Sequence, residues 1–157
     1  MTTLNLSKGS GYAIVLMRLL IGWHFLYEGV LKLFSPNWTA KGYLMSAELF
    51  TGLFQWLGSD GMIGITDFLN VLCLIIVGMT LVLGVFERIG AIVGMALLVL
   101  FYLAHPALPG SNPAGTEGSY WLVNKNLIEA AALFVIYSIP TSHIFGLGLF
   151  MKNKSNS

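Results

Sequence analysis

The chain has 157 residues, of which 56% are hydrophobic and only 10% are charged, and its mean hydropathy is +0.78. Because soluble domains usually carry about 25% charged residues, this composition predicts an integral membrane protein and excludes a larger soluble domain. The net charge of +1 argues against nucleic-acid binding, and the one cysteine, Cys73, excludes a disulfide or a paired-thiol motif within one chain.

Four apolar segments predict four membrane spans in a single domain that covers residues 1–157. The approximate predicted spans are residues 12–34, 66–86, 89–105 and 121–140. A hydrocarbon core of about 30 Å needs roughly 20 helical residues, so only the third of these segments is short. Backbone in lipid has to satisfy its own hydrogen bonds, which favours helices. The expected fold class is therefore all-α, an integral membrane four-helix bundle.

The first loop, residues 35–65, is long and contains its own apolar pattern. Its segment YLMSAELFTGLFQWLG predicts a short helix in the membrane interface, with Trp38 and Trp56 at the level of the lipid headgroups. The alternative is a loop helix that packs on the bundle, and the sequence does not separate the two.

The distribution of basic residues predicts the orientation of the chain. Lys8, Arg88 and the pair Lys152 and Lys154 fall on one side of four spans, whereas the third loop has no Lys or Arg. Because basic residues concentrate on the cytoplasmic side, we expect both termini to be cytoplasmic. The expected location is the cytoplasmic (inner) membrane of a bacterium or archaeon, crossed several times.

The first predicted span carries four ionisable residues, Arg18, His24, Glu28 and Lys32. At 100° per residue they fall within an arc of about 120°, which predicts that they face the bundle and not the lipid. Arg18 lies nearer the opposite membrane face from the other three, and the alternative for this residue is that it snorkels toward that face.

The other predicted spans bring polar residues to the end of the bundle where Glu28 and Lys32 lie. These residues are Asp67 and Asn70 of the second span, His105 of the third, and Asn124, Lys125, Asn126 and Glu129 of the fourth. A carboxylate within a span has to be protonated, paired or in a wet cavity. The pattern therefore predicts a polar pocket in the outer half of the bundle, and a purely structural polar cluster is the alternative.

Roles within this predicted pocket follow from side-chain chemistry. Glu28, Glu129 and His105 are the candidates for catalysis by proton transfer. The candidates for substrate binding are Lys32, Lys125, His24, Asn70, Asn126 and Asp67.

No bis-histidine haem is expected, because His24 and His105 lie at different depths. We also expect no flavin or metal site, since no ligand spacing or nucleotide motif is present. Four glycines, Gly78, Gly84, Gly90 and Gly94, predict close helix packing.

Three stretches resemble the DoxX/DoxD-like membrane proteins: RLLIGWHFLYEGVLKLFSPNWTAKGYLMSA, LVLGVFERIGA and NKNLIEAAAL. The resemblance extends over nearly the whole chain and implies a four-helix membrane fold. These proteins are similar to the small subunit of thiosulfate:quinone oxidoreductase. The resemblance thus implies a quinone as electron acceptor, thiosulfate as donor and a second protein subunit as partner.

Together these features predict an integral membrane subunit of a quinone-linked redox system, surrounded by lipid and acting with a partner protein. Whether the chain is itself an oxidoreductase stays open. One alternative is a non-enzymatic scaffold or anchor for a partner protein. Another is a small-solute transporter, for which four short spans would have to assemble as a homo-oligomer.

Overall fold

The computed structural model describes residues 7–108 and 120–148, and within them the fold is all-α, as predicted. The helices are α1 (Lys8–Leu33), α2 (Lys41–Met45), α3 (Thr51–Leu57), α4 (Ile63–Leu83), α5 (Glu87–Ala104) and α6 (Lys125–Ser138). Of these, α1, α4 and α5 are long and apolar enough to cross a membrane. The basic tail residues Lys152 and Lys154 lie outside the described residues.

Helix α6 is shorter than the predicted fourth span, residues 121–140. Its 14 residues extend about 21 Å at 1.5 Å per residue. It starts late because Tyr120 and Val123 close a tight turn, after which the Asn124 side chain caps the helix by accepting from Leu127 N at 3.2 Å. It ends two residues before Pro140, which cannot continue a helix. The count of four spans stays a prediction.

The helices pack as two pairs, α1 along α4 and α5 along α6, and the turn from α4 to α5 joins the pairs. Phe25, Val77, Leu81 and Leu133 are buried at the centre. Gly78 lets α1 and α4 approach closely, since a Cβ there would lie 2.5 Å from the backbone nitrogen of Leu26. The expected role of this glycine in helix packing agrees with that geometry.

Gly78→Ala is therefore expected to lower the free energy of unfolding by about 1–3 kcal/mol, because the added methyl group would force the two backbones apart. The matched control is Gly64→Ala in the same helix, where a Cβ would meet nothing within 4 Å. That change should raise stability by up to about 1 kcal/mol. Chemical unfolding in detergent micelles measures both, and equal stabilities of the two variants would contradict the close packing.

The first loop contains two short helices, α2 and α3, where the sequence predicted one. The break comes at Phe50, whose φ of 50° is left-handed and cannot continue a right-handed helix. Leu44 and Phe54 are buried against Ala104 at the end of α5, so the loop packs on the bundle. Its other side leaves Trp56 exposed, where contact with the membrane interface stays a prediction.

Toward the end of the bundle where α1 begins, Arg18 is fully buried, which agrees with the predicted arc that faces the bundle and not with the snorkelling alternative. Its Nη1 donates to Glu87 Oε2 at 2.9 Å and to Thr141 Oγ1 at 3.0 Å, and its Nη2 donates to the Phe145 carbonyl at 2.6 Å. Ser142 N donates to Glu87 Oε1 at 2.8 Å. This ion pair ties α1, α5 and the segment after α6 together.

Candidate functional site

A cavity of about 290 Å³, here called the polar pocket, lies between α1, α4, α5, the start of α6 and the loop before α2. Its polar lining consists of His24, Glu28, Lys32, Thr39, Tyr43, Asn70, Asn124, Lys125 and Asn126. Its apolar lining consists of Phe25, Trp38, Ala40, Leu74, Leu98 and Phe101. Apolar walls with a few convergent polar groups are typical of small-molecule sites.

Helix α1 supplies one wall of the polar pocket through residues spaced four apart. His24, Glu28 and Lys32 lie one above the other on this face, as the arc predicted. Lys32 Nζ donates to Glu28 Oε2 at 2.6 Å and lies 5.5 Å from the centre of the Trp38 ring. The charge of Glu28 is therefore balanced by a cation on its own helix.

A second pair joins α1 to α6. His24 Nδ1 lies 2.6 Å from Glu129 Oε1, within hydrogen-bond distance. If the carboxylate is ionised, Nδ1 donates to it and the proton on the ring is held at that nitrogen. Glu129 does not line the polar pocket, whereas His24 does. The His24 ring therefore offers a route for a proton between Glu129 and the pocket.

Two asparagines leave polar atoms without partners at the pocket. The side chain of Asn124 is 1% exposed, and its Nδ2 has no hydrogen-bond partner among the described residues. Because Asn124 Oδ1 accepts from the Leu127 backbone, the amide orientation is set and Nδ2 is the atom left over. Asn70 Oδ1 is also buried without a partner in the described part of the chain. A buried donor left unpaired costs about 1–3 kcal/mol, which an acceptor in the pocket would offset.

The pocket carries an excess of positive charge. Among the charged side chains that line it, Glu28 is paired with Lys32, whereas Lys125 forms no ion pair within residues 7–108 and 120–148. Lys125 is the first residue of α6, where the helix dipole adds partial positive charge. The electrostatics favour a ligand that accepts hydrogen bonds or carries negative charge.

Two predicted site residues lie behind the pocket wall. Asp67 accepts from the Ala40 backbone nitrogen at 2.9 Å and so holds the loop against α4. His105 is buried, with Nε2 2.9 Å from the Tyr43 carbonyl oxygen and its ring centre 4.3 Å from that of Tyr43. The structure thus brings six of the nine predicted residues onto the pocket wall, namely His24, Glu28, Lys32, Asn70, Lys125 and Asn126. The roles assigned to all nine stay predictions.

Sequence reasoning gave no site role to nine of the fifteen lining residues, among them Trp38, Thr39, Tyr43 and Asn124, although it had placed Asn124 in the polar cluster. Tyr43 donates to the Phe101 carbonyl at 2.8 Å, and burial raises its pKa from 10.0 to about 12, so it stays a neutral donor at physiological pH. The signal for Asn124 is its place directly before the apolar run of α6, where asparagine is a preferred helix cap. For Trp38, Thr39 and Tyr43, the sequence offers no indication of a site role beyond their closeness to the first span.

No curated protein sequence matches this chain, and no solved structure matches it. The model of the DoxX family does match, over residues 13–107, which is more than half of the 157 residues. That region contains most of α1 and all of α2 to α5, including the α1 wall of the polar pocket and the loop that borders it. With its apolar helices and this match, the protein is a membrane protein that belongs to the DoxX family.

Proposed function

We propose that this chain is the membrane subunit of a quinone-linked redox system and that the polar pocket receives the quinone ring. The observation that carries the proposal is the buried, unpartnered Nδ2 of Asn124 at a pocket with aromatic walls. The oxygens of a quinone ring accept hydrogen bonds and do not donate them, which is what a leftover donor requires. A quinone supplies the chemistry of accepting two electrons and two protons.

The size and walls of the pocket support a small ring. Its volume of about 290 Å³ lies at the lower end of the range of ligand pockets, roughly 300–1,000 Å³. Phe25, Trp38 and Phe101 offer ring faces and edges against which a planar ligand can pack. A larger cofactor such as a flavin dinucleotide exceeds that space.

The proton-carrying groups also support the proposal. Glu28 and His24 line the pocket. A carboxylate and an imidazole are side chains that can exchange a proton with a ring bound beside them. We assign the electrons to a partner subunit, with thiosulfate as the donor that the resemblance implies.

The proposal is tested by replacing Asn124 with Ser and, separately, with Asp. Both residues are good helix caps, so α6 is expected to form as before, while the Nδ2 donor is lost. The dissociation constant of a benzoquinone without a side chain, followed by quenching of tryptophan fluorescence in nanodiscs, should rise roughly tenfold in both variants. Trp38 lies in the pocket wall and is expected to report the binding.

The matched control is Asn37→Ser, since Asn37 is exposed in the first loop and does not line the pocket. This variant should bind the benzoquinone with the same dissociation constant as the unmodified protein. The absence of saturable quenching in the unmodified protein would contradict the quinone site. Unchanged binding in both Asn124 variants would contradict the role of the amide.

A further inference from the structure

A second cavity, here called the α1–α6 groove, runs between those two helices and has a volume of about 630 Å³. It is lined by Ala13, Leu16, Met17, Leu20, Ile21, His24, Lys125, Ile128, Glu129 and Ala132. Seven of these are hydrocarbon or thioether side chains, and the three polar ones are His24, Lys125 and Glu129. The groove is therefore apolar along most of its length and polar where it reaches the His24–Glu129 pair.

The groove is open on the side that faces lipid in a membrane. Leu16 is 57% exposed, Leu20 63% and Ile128 57%. The gap exists because α1 packs mainly on α4 and α6 mainly on α5, so α1 and α6 touch each other only over a short stretch. In a bilayer these exposed apolar side chains are expected to contact hydrocarbon chains.

The groove and the polar pocket meet at the same two side chains, since His24 and Lys125 line both cavities. An apolar path from the lipid therefore leads directly to the buried Asn124 donor and the excess positive charge. A ligand shaped to occupy both spaces has a small head that accepts hydrogen bonds and one long hydrocarbon chain. A compact soluble ligand would use the pocket and leave the groove unused.

We propose that the α1–α6 groove is the lateral path for the hydrocarbon tail of the ligand whose head occupies the polar pocket. This inference rests on the proposed quinone site and assigns to it a ring that carries a long apolar chain. Lipid is as apolar as the groove, so the groove adds little affinity by itself. Its role is steric, because it lets the tail leave the pocket while the head stays bound, and His24 and Lys125 stand where the two meet.

The test compares two probes, decyl-benzoquinone and the same ring without the chain, on two phenylalanine variants of α6. Ala132→Phe places a ring in the groove, whereas the control Ala131→Phe places the same ring on the neighbouring exposed position, which does not line the groove. In Ala132→Phe the dissociation constant of the decyl probe should rise roughly tenfold or more, and that of the ring alone should not change. Ala131→Phe should bind both probes normally. Tryptophan quenching in nanodiscs is the readout.

Normal binding of the decyl probe to Ala132→Phe would overturn the lateral path and leave the quinone site in place. Failure of both probes to bind the unmodified protein is a different outcome, which removes the quinone site itself. If Ala132→Phe changes the helix content, the two probes are compared on Ala13→Phe instead. Ala13 is exposed on the opposite wall of the groove, so a phenylalanine there also fills it. Equal weakening of both probes in a folded Ala13→Phe variant would also overturn the path.

Discussion

Glu129→Gln is expected to lower the rate of quinone reduction by about 100-fold, the contribution typical of a positioned acid or base. The Glu129 carboxylate lies 2.6 Å from His24 Nδ1, behind the ring that lines the polar pocket. Glutamine keeps the shape and a hydrogen bond but cannot exchange the proton that the ring passes on. The dissociation constant of a quinone ring without a side chain should stay unchanged, because Glu129 lines the α1–α6 groove but not the polar pocket. The rate is measured as the proposed thiosulfate-dependent quinone reduction, in membranes that retain any co-purifying partner.

Two further variants separate proton transfer from a structural role of Glu129. Glu129→Asp keeps the carboxylate and should recover part of the rate. Glu48→Gln removes a carboxylate from the first loop, away from both cavities, and should have no effect. An unchanged rate in Glu129→Gln and in Glu28→Gln, at a normal amount of protein, would contradict proton transfer by these two carboxylates. It would favour the alternative of a non-enzymatic scaffold. A loss of protein in both would instead indicate a structural polar cluster.

Arg18→Met is expected to lower the free energy of unfolding by roughly 3–5 kcal/mol, the largest stability effect anticipated for a single residue here. Without the guanidinium, the Glu87 carboxylate would remain buried and lose its cation. The hydrogen bonds to Thr141 and to the Phe145 carbonyl would be lost as well, which frees the segment after α6. Chemical unfolding in mixed micelles provides the measurement.

A double-mutant cycle shows whether loss of the Arg18–Glu87 ion pair causes the expected loss of stability. In Arg18→Met/Glu87→Gln the unpaired charge is gone, so the loss of stability should be smaller than the sum of the two single losses. Arg88→Met is the control, because Arg88 is the exposed neighbour of Glu87, and it should change stability by no more than about 0.5 kcal/mol. Additive losses in the cycle would contradict a coupled pair.

The two ends of the bundle use charged residues for different purposes. At the end where α1 begins, the Arg18–Glu87 pair is buried and both carboxylate oxygens accept hydrogen bonds, although Arg18 Nε has no partner among the described residues. At the end where α6 begins, the pairs are only partly buried, Lys125 has no ion-pair partner among the described residues, and Asn124 keeps a donor unused. Satisfied groups stabilise a fold, whereas unsatisfied groups beside a cavity are suited to a ligand.

The sequence by itself determined the class of the protein and the main helices. Apolar runs placed three spans within a few residues of α1, α4 and α5, because a helix in lipid needs a long uninterrupted apolar stretch. The sequence also predicted that the four ionisable residues of the first span share one face, because helical periodicity is a local property. The same reasoning extended the fourth span beyond α6, since the apolar character of residues 121–123 outweighed the cap signal of Asn124.

Only the tertiary structure decided which polar groups meet. The sequence placed His24 and Glu129 in the same half of the bundle but did not pair them, and it did not pair Arg18 with Glu87, whose carboxylate lies 2.9 Å away. Such pairs depend on how far one helix is rotated and shifted against another, which close contacts such as Gly78 against Leu26 set. The gap between α1 and α6 has the same origin. It results from each helix packing on a different neighbour, which no periodicity within one helix can reveal.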